Sequence, residues 1–238
     1  MSWLRGIPYY LVKFTCWLVL RLRFGMEVTG QEHVPKQGAF IIACNHVSHL
    51  DPVVLGCACP RRITYMARTT LWEPPLLRLF MNAMQCIPLK RGEADVGAIR
   101  EAARQLKAGR SIGLFPEGTR QPSGQLGQAK RGIGLLAALA KVPVVPAVVQ
   151  GTYEALPKGA KRLQRSKIRV AFGPLIPYTT AVSRKEALSG ANSDGAPQNT
   201  ERRATSGKGH DQLAEAVTRQ WQQLLASMKE SPHGANQD

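Results

Sequence analysis

His46 and Asp51 stand close together in Asn45-His46-Val47-Ser48-His49-Leu50-Asp51-Pro52, directly behind the apolar run of residues 39–44. An imidazole near neutral pH can take a proton from an attacking hydroxyl, and a carboxylate on its other ring nitrogen fixes the tautomer and stabilises the imidazolium. A base held this way contributes about 10²–10⁴-fold to such an attack. The pair therefore suits ester formation from an alcohol and a thioester, with no nucleophile supplied by the protein. Spacing alone leaves two alternatives open. The histidine could be a structural side chain at a strand end, and His49 could meet Asp51 in its place.

A second group follows another apolar run: Phe115-Pro116-Glu117-Gly118-Thr119-Arg120. Gly118 lets backbone come close to a ligand, and the N–H groups of such a turn can hold an oxyanion or a phosphate. Taken alone, the same residues also describe a capped turn with a surface ion pair. Lys90-Arg91 follows residues 85–89, and an arginine there can pair bidentately with phosphate. Val142-Pro143-Val144-Val145-Pro146 opens a buried strand, where prolines shape a wall more often than they perform chemistry.

These groups need a frame that gathers strand ends. Residues 39–44, 63–66, 85–89, 111–115, 144–149 and 168–172 read as short apolar strands. Residues 52–59, 75–84, 96–107 and 129–140 between them read as helices. Strands alternating with helices predict an α/β fold with a mostly parallel central sheet flanked by helices, and in such sheets the site lies at the carboxyl ends of the strands. An Asp-Pro pair at 51–52 is a helix start, with Asp as cap and Pro at the first helical position. Residues 26–182 form the expected α/β domain. Residues 183–212, without an aliphatic or aromatic side chain beyond Ala over 189–212, read as a flexible polar insert, and 213–230 as a C-terminal helix returning to the domain.

Residues 1–25 are apolar and aromatic, broken by Arg5, Pro8, Lys13, Arg21 and Arg23. No run there reaches the ~20 apolar residues needed to span a bilayer, so the expectation is an N-terminal interfacial helix and not a cleaved signal peptide. Each basic residue near an anionic leaflet adds about 1 kcal/mol. The net charge of +16 calls for anionic partners: acidic lipid, phosphorylated small molecules or nucleic acid. Nucleic acid is not expected, because no aromatics interleave with the basic residues in a base-stacking pattern. The five cysteines, Cys16, Cys44, Cys57, Cys59 and Cys86, include no C-x-x-C and read as core thiols in a reducing compartment. No metal site is expected.

The blocks Asn45-His46 to Asp51 (N-H-x-S-x-x-D) and Phe115 to Arg120 (F-P-E-G-T-R) resemble those of the bacterial 1-acyl-sn-glycerol-3-phosphate acyltransferases, within the glycerolipid acyltransferase superfamily. The resemblance runs from about Met26 to Thr179. It implies transfer of a fatty acyl group from acyl-CoA or acyl-carrier protein to the sn-2 hydroxyl of lysophosphatidic acid, giving phosphatidic acid, without metal or organic cofactor. It implies His46 as base, Asp51 as its partner, and Arg91, Glu117, Gly118, Thr119 and Arg120 around the acceptor. Ala67-Arg68-Thr69-Thr70-Leu71 resembles a stretch usually read A-K-x-E-L, which makes Arg68, in place of lysine, the oxyanion candidate. Gln85 stands where the family commonly has glycine, and Gly151-Thr152-Tyr153 matches a fourth block associated with the acyl donor. The implied location is the cytoplasmic face of the inner membrane, peripheral or monotopic. Another lysophospholipid or a lyso-ornithine lipid is the alternative acceptor, and a non-enzymatic basic membrane or nucleic-acid binder the alternative class.

Overall fold

The computed structural model describes residues 7–84, 86–89, 96–157, 159–160, 162–181 and 199–230. Its strands are β1 (Glu27–Thr29), β2 (Ile41–Cys44), β3 (Ile63–Arg68), β4 (Ile87–Leu89), β5 (Ser111–Leu114), β6 (Val144–Gln150) and β7 (Arg169–Phe172). Its α-helices are α1 (Ile7–Phe24), α2 (Asp51–Ala58), α3 (Pro75–Ala83), α4 (Val96–Lys107), α5 (Gly132–Ala140), α6 (Thr152–Ala155) and α7 (Asn199–Glu230). The strands form one sheet in the order β1-β7-β6-β2-β5-β3-β4. Every pairing is parallel except β6 with β7.

Both faces of this sheet are covered, so its inner strands are apolar at successive positions. In β2, whose four residues are all buried, Ile41 and Ala43 point into one core with Leu106, Ile133, Leu136 and Trp221 from α4, α5 and α7. Ile42 and Cys44 point into the other with Val54 and Leu55 of α2 and Leu20 and Phe24 of α1. Trp221 of α7 donates its indole N–H to the Ala43 carbonyl at 2.9 Å, which fixes the last helix against the central strand. This is the mostly parallel α/β arrangement that the alternating pattern predicts.

Three local readings differ. β1 was not expected: Glu-Val-Thr is too short and polar to signal a strand, and it forms because β7 offers a parallel edge whose neighbours Lys167 and Arg169 reach Glu27 at 2.6 and 3.5 Å. The last helix begins at Asn199, not 213, so residues 199–212 belong to it. Extending an established helix adds one hydrogen bond per residue ordered, which the polar composition does not oppose. Residues 183–198 of the expected insert lie outside the described residues. Asp51 does not cap α2, for a reason that belongs to the site.

Helix α1 packs on α2 along Leu20, Phe24 and Cys16. Lys13, one of the residues that break the apolar stretch, turns inward and donates to the Cys59 carbonyl at 2.5 Å, capping the end of α2. The opposite side of α1 leaves Tyr10, Leu11, Phe14, Trp17, Leu18, Val19 and Leu22 exposed, Leu22 at 77%. Among the described residues no helix is long and apolar enough to cross a membrane.

Candidate active site

Because β6, β2, β5, β3 and β4 run parallel, their carboxyl ends share one edge of the sheet. The loop after β2 carries Asn45 and His46. Glu117 to Arg120 follow β5, Arg68 ends β3, and Thr152 follows β6. Arg91 lies outside the described residues.

The imidazole of His46 meets Asp51, with Nδ1 2.9 Å from Oδ2. Asp51 is fully buried, and Oδ2 also accepts the backbone N–H groups of Val47 at 2.7 Å and Ser48 at 2.8 Å. Oδ1 accepts the Thr152 hydroxyl at 2.6 Å. The side chain that would cap α2 is thus turned back onto its own loop, and these partners keep a buried charge solvated. A carboxylate only accepts, so Nδ1 bears the proton of the neutral ring and Nε2 is its basic nitrogen. His49 does not take this place. Its ring is exposed, and partial desolvation and the Arg120 guanidinium push its pKa below the usual range, with His46 acting the same way.

Side chains on either side hold the loop. Asn45 is buried and pairs with one residue of β6, its Oδ1 accepting from Val149 N at 2.8 Å and its Nδ2 donating to Val149 O at 3.0 Å. The Phe115 ring stacks on the imidazole, centroids 4.3 Å apart and planes at 25°. Tyr65 stacks behind Phe115 at 6.2 Å and 9°, its hydroxyl donating to Pro52 O at 2.7 Å. Gly113 makes room for that ring: a Cβ there would fall 2.5 Å from it.

Glu117 joins the turn after β5 to the histidine loop. The residue is 2% exposed, and Oε1 accepts the backbone N–H of His46 at 3.3 Å. Gln121 closes the same loop by donating its N–H to the His46 carbonyl at 2.8 Å. Burial pushes the Glu117 carboxyl above the ordinary carboxylate range, against hydrogen bonding from Gln121 and from the backbone of His46 and Gly127. The other carboxyl oxygen, Oε2, is buried with no hydrogen-bond partner among the described residues. Gly118 and Thr119 are exposed, Gly118 with a φ of 77°, and Arg120 is half-buried. Arg68 is exposed at the same sheet edge, beyond β5 from His46.

Thr152 was missed as a partner of Asp51, since a hydroxyl so far along the chain gives no spacing signal. Asn45 and Phe115 stand inside the two sequence blocks, but their contacts with Val149 and with the His46 ring had no signal in the spacing. Among the described residues no group of three His, Cys, Asp or Glu is placed to hold a metal ion, and the five cysteines are free thiols.

The arrangement can accept a proton at Nε2 beside a turn bearing a guanidinium. Residues 25–150 match the family model described as Acyltransferase. A 1-acyl-sn-glycerol-3-phosphate acyltransferase of Bacillus subtilis is 32% identical over 158 residues, covering 66% of this chain and 76% of that one. One of Borreliella burgdorferi is 30% identical over 145 residues, covering 59% of this chain and 56% of its own. A chloroplastic one of Brassica napus is 28% identical over 170 residues, 70% of this chain, which spans only 49% of that relative. The crystal structure of the LPA acyltransferase PlsC of Thermotoga maritima superposes with a TM-score of 0.75 over 97% of this chain and 83% of that one, at 22% identity, a likeness of fold. With the family model matching more than half of its length, and with such a relative in Bacillus, the chain belongs to the acyltransferase family, in the company of its 1-acyl-sn-glycerol-3-phosphate acyltransferases.

Proposed function

We propose that the protein transfers a fatty acyl group from acyl-CoA or acyl-carrier protein to the sn-2 hydroxyl of lysophosphatidic acid, giving phosphatidic acid. The observation that carries this reading is the 2.9 Å bond between His46 Nδ1 and the buried Asp51, which leaves Nε2 as the base. The acceptor hydroxyl gives its proton to Nε2 as its oxygen attacks the thioester carbonyl. The tetrahedral intermediate collapses with loss of the thiolate, and the imidazolium returns the proton to that sulfur. Asp51 stabilises the imidazolium in between.

Arg120 and Arg91 are proposed to hold the acceptor phosphate, with Gly118 and Thr119 shaping the turn, and Arg68 to stabilise the oxyanion. Neither a metal nor an organic cofactor enters these steps. The exposed apolar side of α1 and the net charge of +16 support peripheral attachment to an anionic membrane, proposed at the cytoplasmic face.

Transfer of radiolabelled acyl groups to lysophosphatidic acid by wild type and His46→Ala tests the reading. Turnover by wild type and its loss in a folded variant are expected. Equal turnover by the two proteins would refute the base. A panel including other lysophospholipids and a lyso-ornithine lipid separates the acceptors, because one lacking the phosphate has no need of Arg120.

A further inference from the structure

Lys130 stands ten residues beyond the Phe115–Arg120 block, yet its side chain returns to it. A Cβ placed on Gly118 would lie 3.0 Å from Lys130 Nζ, 3.5 Å from Cε and 3.6 Å from Cδ. The lysine therefore runs along the face that Gly118 leaves bare. Its backbone is anchored from two directions. Lys130 N donates to Pro116 O at 2.9 Å, inside the turn, and Ala129 N donates to Thr218 Oγ1 of α7 at 3.0 Å.

The charge around it is unbalanced. Lys130 is exposed and makes no ion pair among the described residues. Arg120 on the same turn is also without an ion pair among them, and its positive field reaches His49. The one acid of the turn, Glu117, is buried against the His46 backbone, where burial favours its neutral form. An ammonium lying against the turn and a guanidinium carried on it, neither in an ion pair among the described residues, suit a phosphate monoester, whose oxygens accept several charge-assisted bonds.

We propose that Lys130 is a specificity-determining residue that binds a substrate phosphate monoester together with Arg120, across the bare face of Gly118. The inference rests on the acyl-transfer reading and deepens it. The phosphate is that of the lysolipid headgroup or the 3′-phosphate of coenzyme A, and kinetics distinguishes the two.

Wild type, Lys130→Met and Lys130→Arg are compared as full chains, varying lysophosphatidic acid at fixed acyl-CoA and then the reverse, with 1-acylglycerol as a phosphate-free acceptor. The expected result for Lys130→Met is a rise of about 10-fold in KM for lysophosphatidic acid, with kcat within about 2-fold. Its preference over 1-acylglycerol falls to match, and Lys130→Arg recovers most of the loss. A KM rise confined to acyl-CoA assigns the phosphate to the donor and sustains the role of the lysine. The inference is overturned if neither KM moves, or if Lys130→Arg fails to recover what Lys130→Met loses. Wild-type turnover with KM values insensitive to Lys130 refutes this inference alone. A wild type that transfers nothing to lysophosphatidic acid refutes the acyl-transfer reading itself.

Discussion

Phe115 lies flat on His46, 4.3 Å between ring centroids, and so places the first residue after β5 against the base candidate after β2. A stack of this kind is worth about 0.5–1.5 kcal/mol beyond its buried area. Phe115→Ala should then lower kcat by about 3–10-fold, since the imidazole loses one wall, while Phe115→Tyr keeps it. Steady-state rates with a thermal melt of each variant check this. A fall in Tm with kcat unchanged would make the ring a packing residue only.

Asp51 is the most heavily bonded side chain of the site, and its substitution has two readouts. Asp51→Asn replaces an acceptor oxygen with an N–H that opposes the donors already there. Loss of an orienting carboxylate predicts a kcat lower by about 10³–10⁴-fold. The milder Thr152→Val leaves Oδ1 without its 2.6 Å partner. It should destabilise the fold by about 1–3 kcal/mol and slow turnover by about 10-fold. Urea unfolding beside kinetics measures both, and a Thr152→Val enzyme at full rate would show that Oδ1 needs no partner.

Glu117 makes stability depend on pH. Its folded-state pKa is raised above that of the unfolded chain by burial. Between the two values the folded protein holds a proton that the unfolded chain has released. The stabilisation is complete below the unfolded pKa and is lost as pH rises through the folded one. Glu117→Gln keeps an oxygen for the His46 N–H and has nothing to titrate, so its stability should lack that decline. Urea midpoints of both proteins from about pH 4 to about pH 8 compare them, and parallel curves would mean that Glu117 stays ionised in the fold.

Helix α1 offers a membrane test that leaves the domain intact. Phe14 and Leu18 are exposed, on the side away from Leu20 and Phe24. Phe14→Glu with Leu18→Glu should cut co-sedimentation with anionic phospholipid vesicles by about 10-fold or more, with Tm unchanged. Full retention on vesicles would move the membrane contact elsewhere.

Much of this was legible because the relevant signals are local. The apolar runs around 41–44, 111–114 and 144–149 announce strands by themselves, and a strand followed at once by Asn45-His46 or Pro116-Glu117 puts those residues at a strand end. Asp51 could be expected near His46 because so short a loop can fold back on itself. What stayed hidden depends on neighbours that sequence distance conceals. β1 exists only because β7 lends it an edge, and Lys13 turns inward only because α2 ends beneath it.

Element types, the parallel α/β class and the edge at which the chemistry-bearing residues gather follow from amino-acid order alone, since hydrophobic period and turn residues are properties of the local chain. That Thr152 completes the Asp51 cage and that Glu117 reaches the backbone of the histidine loop came from the packing of distant segments. Strand order brings β6, β2 and β5 side by side, and which donors and acceptors a buried carboxyl finds is fixed by that adjacency and not by position along the chain.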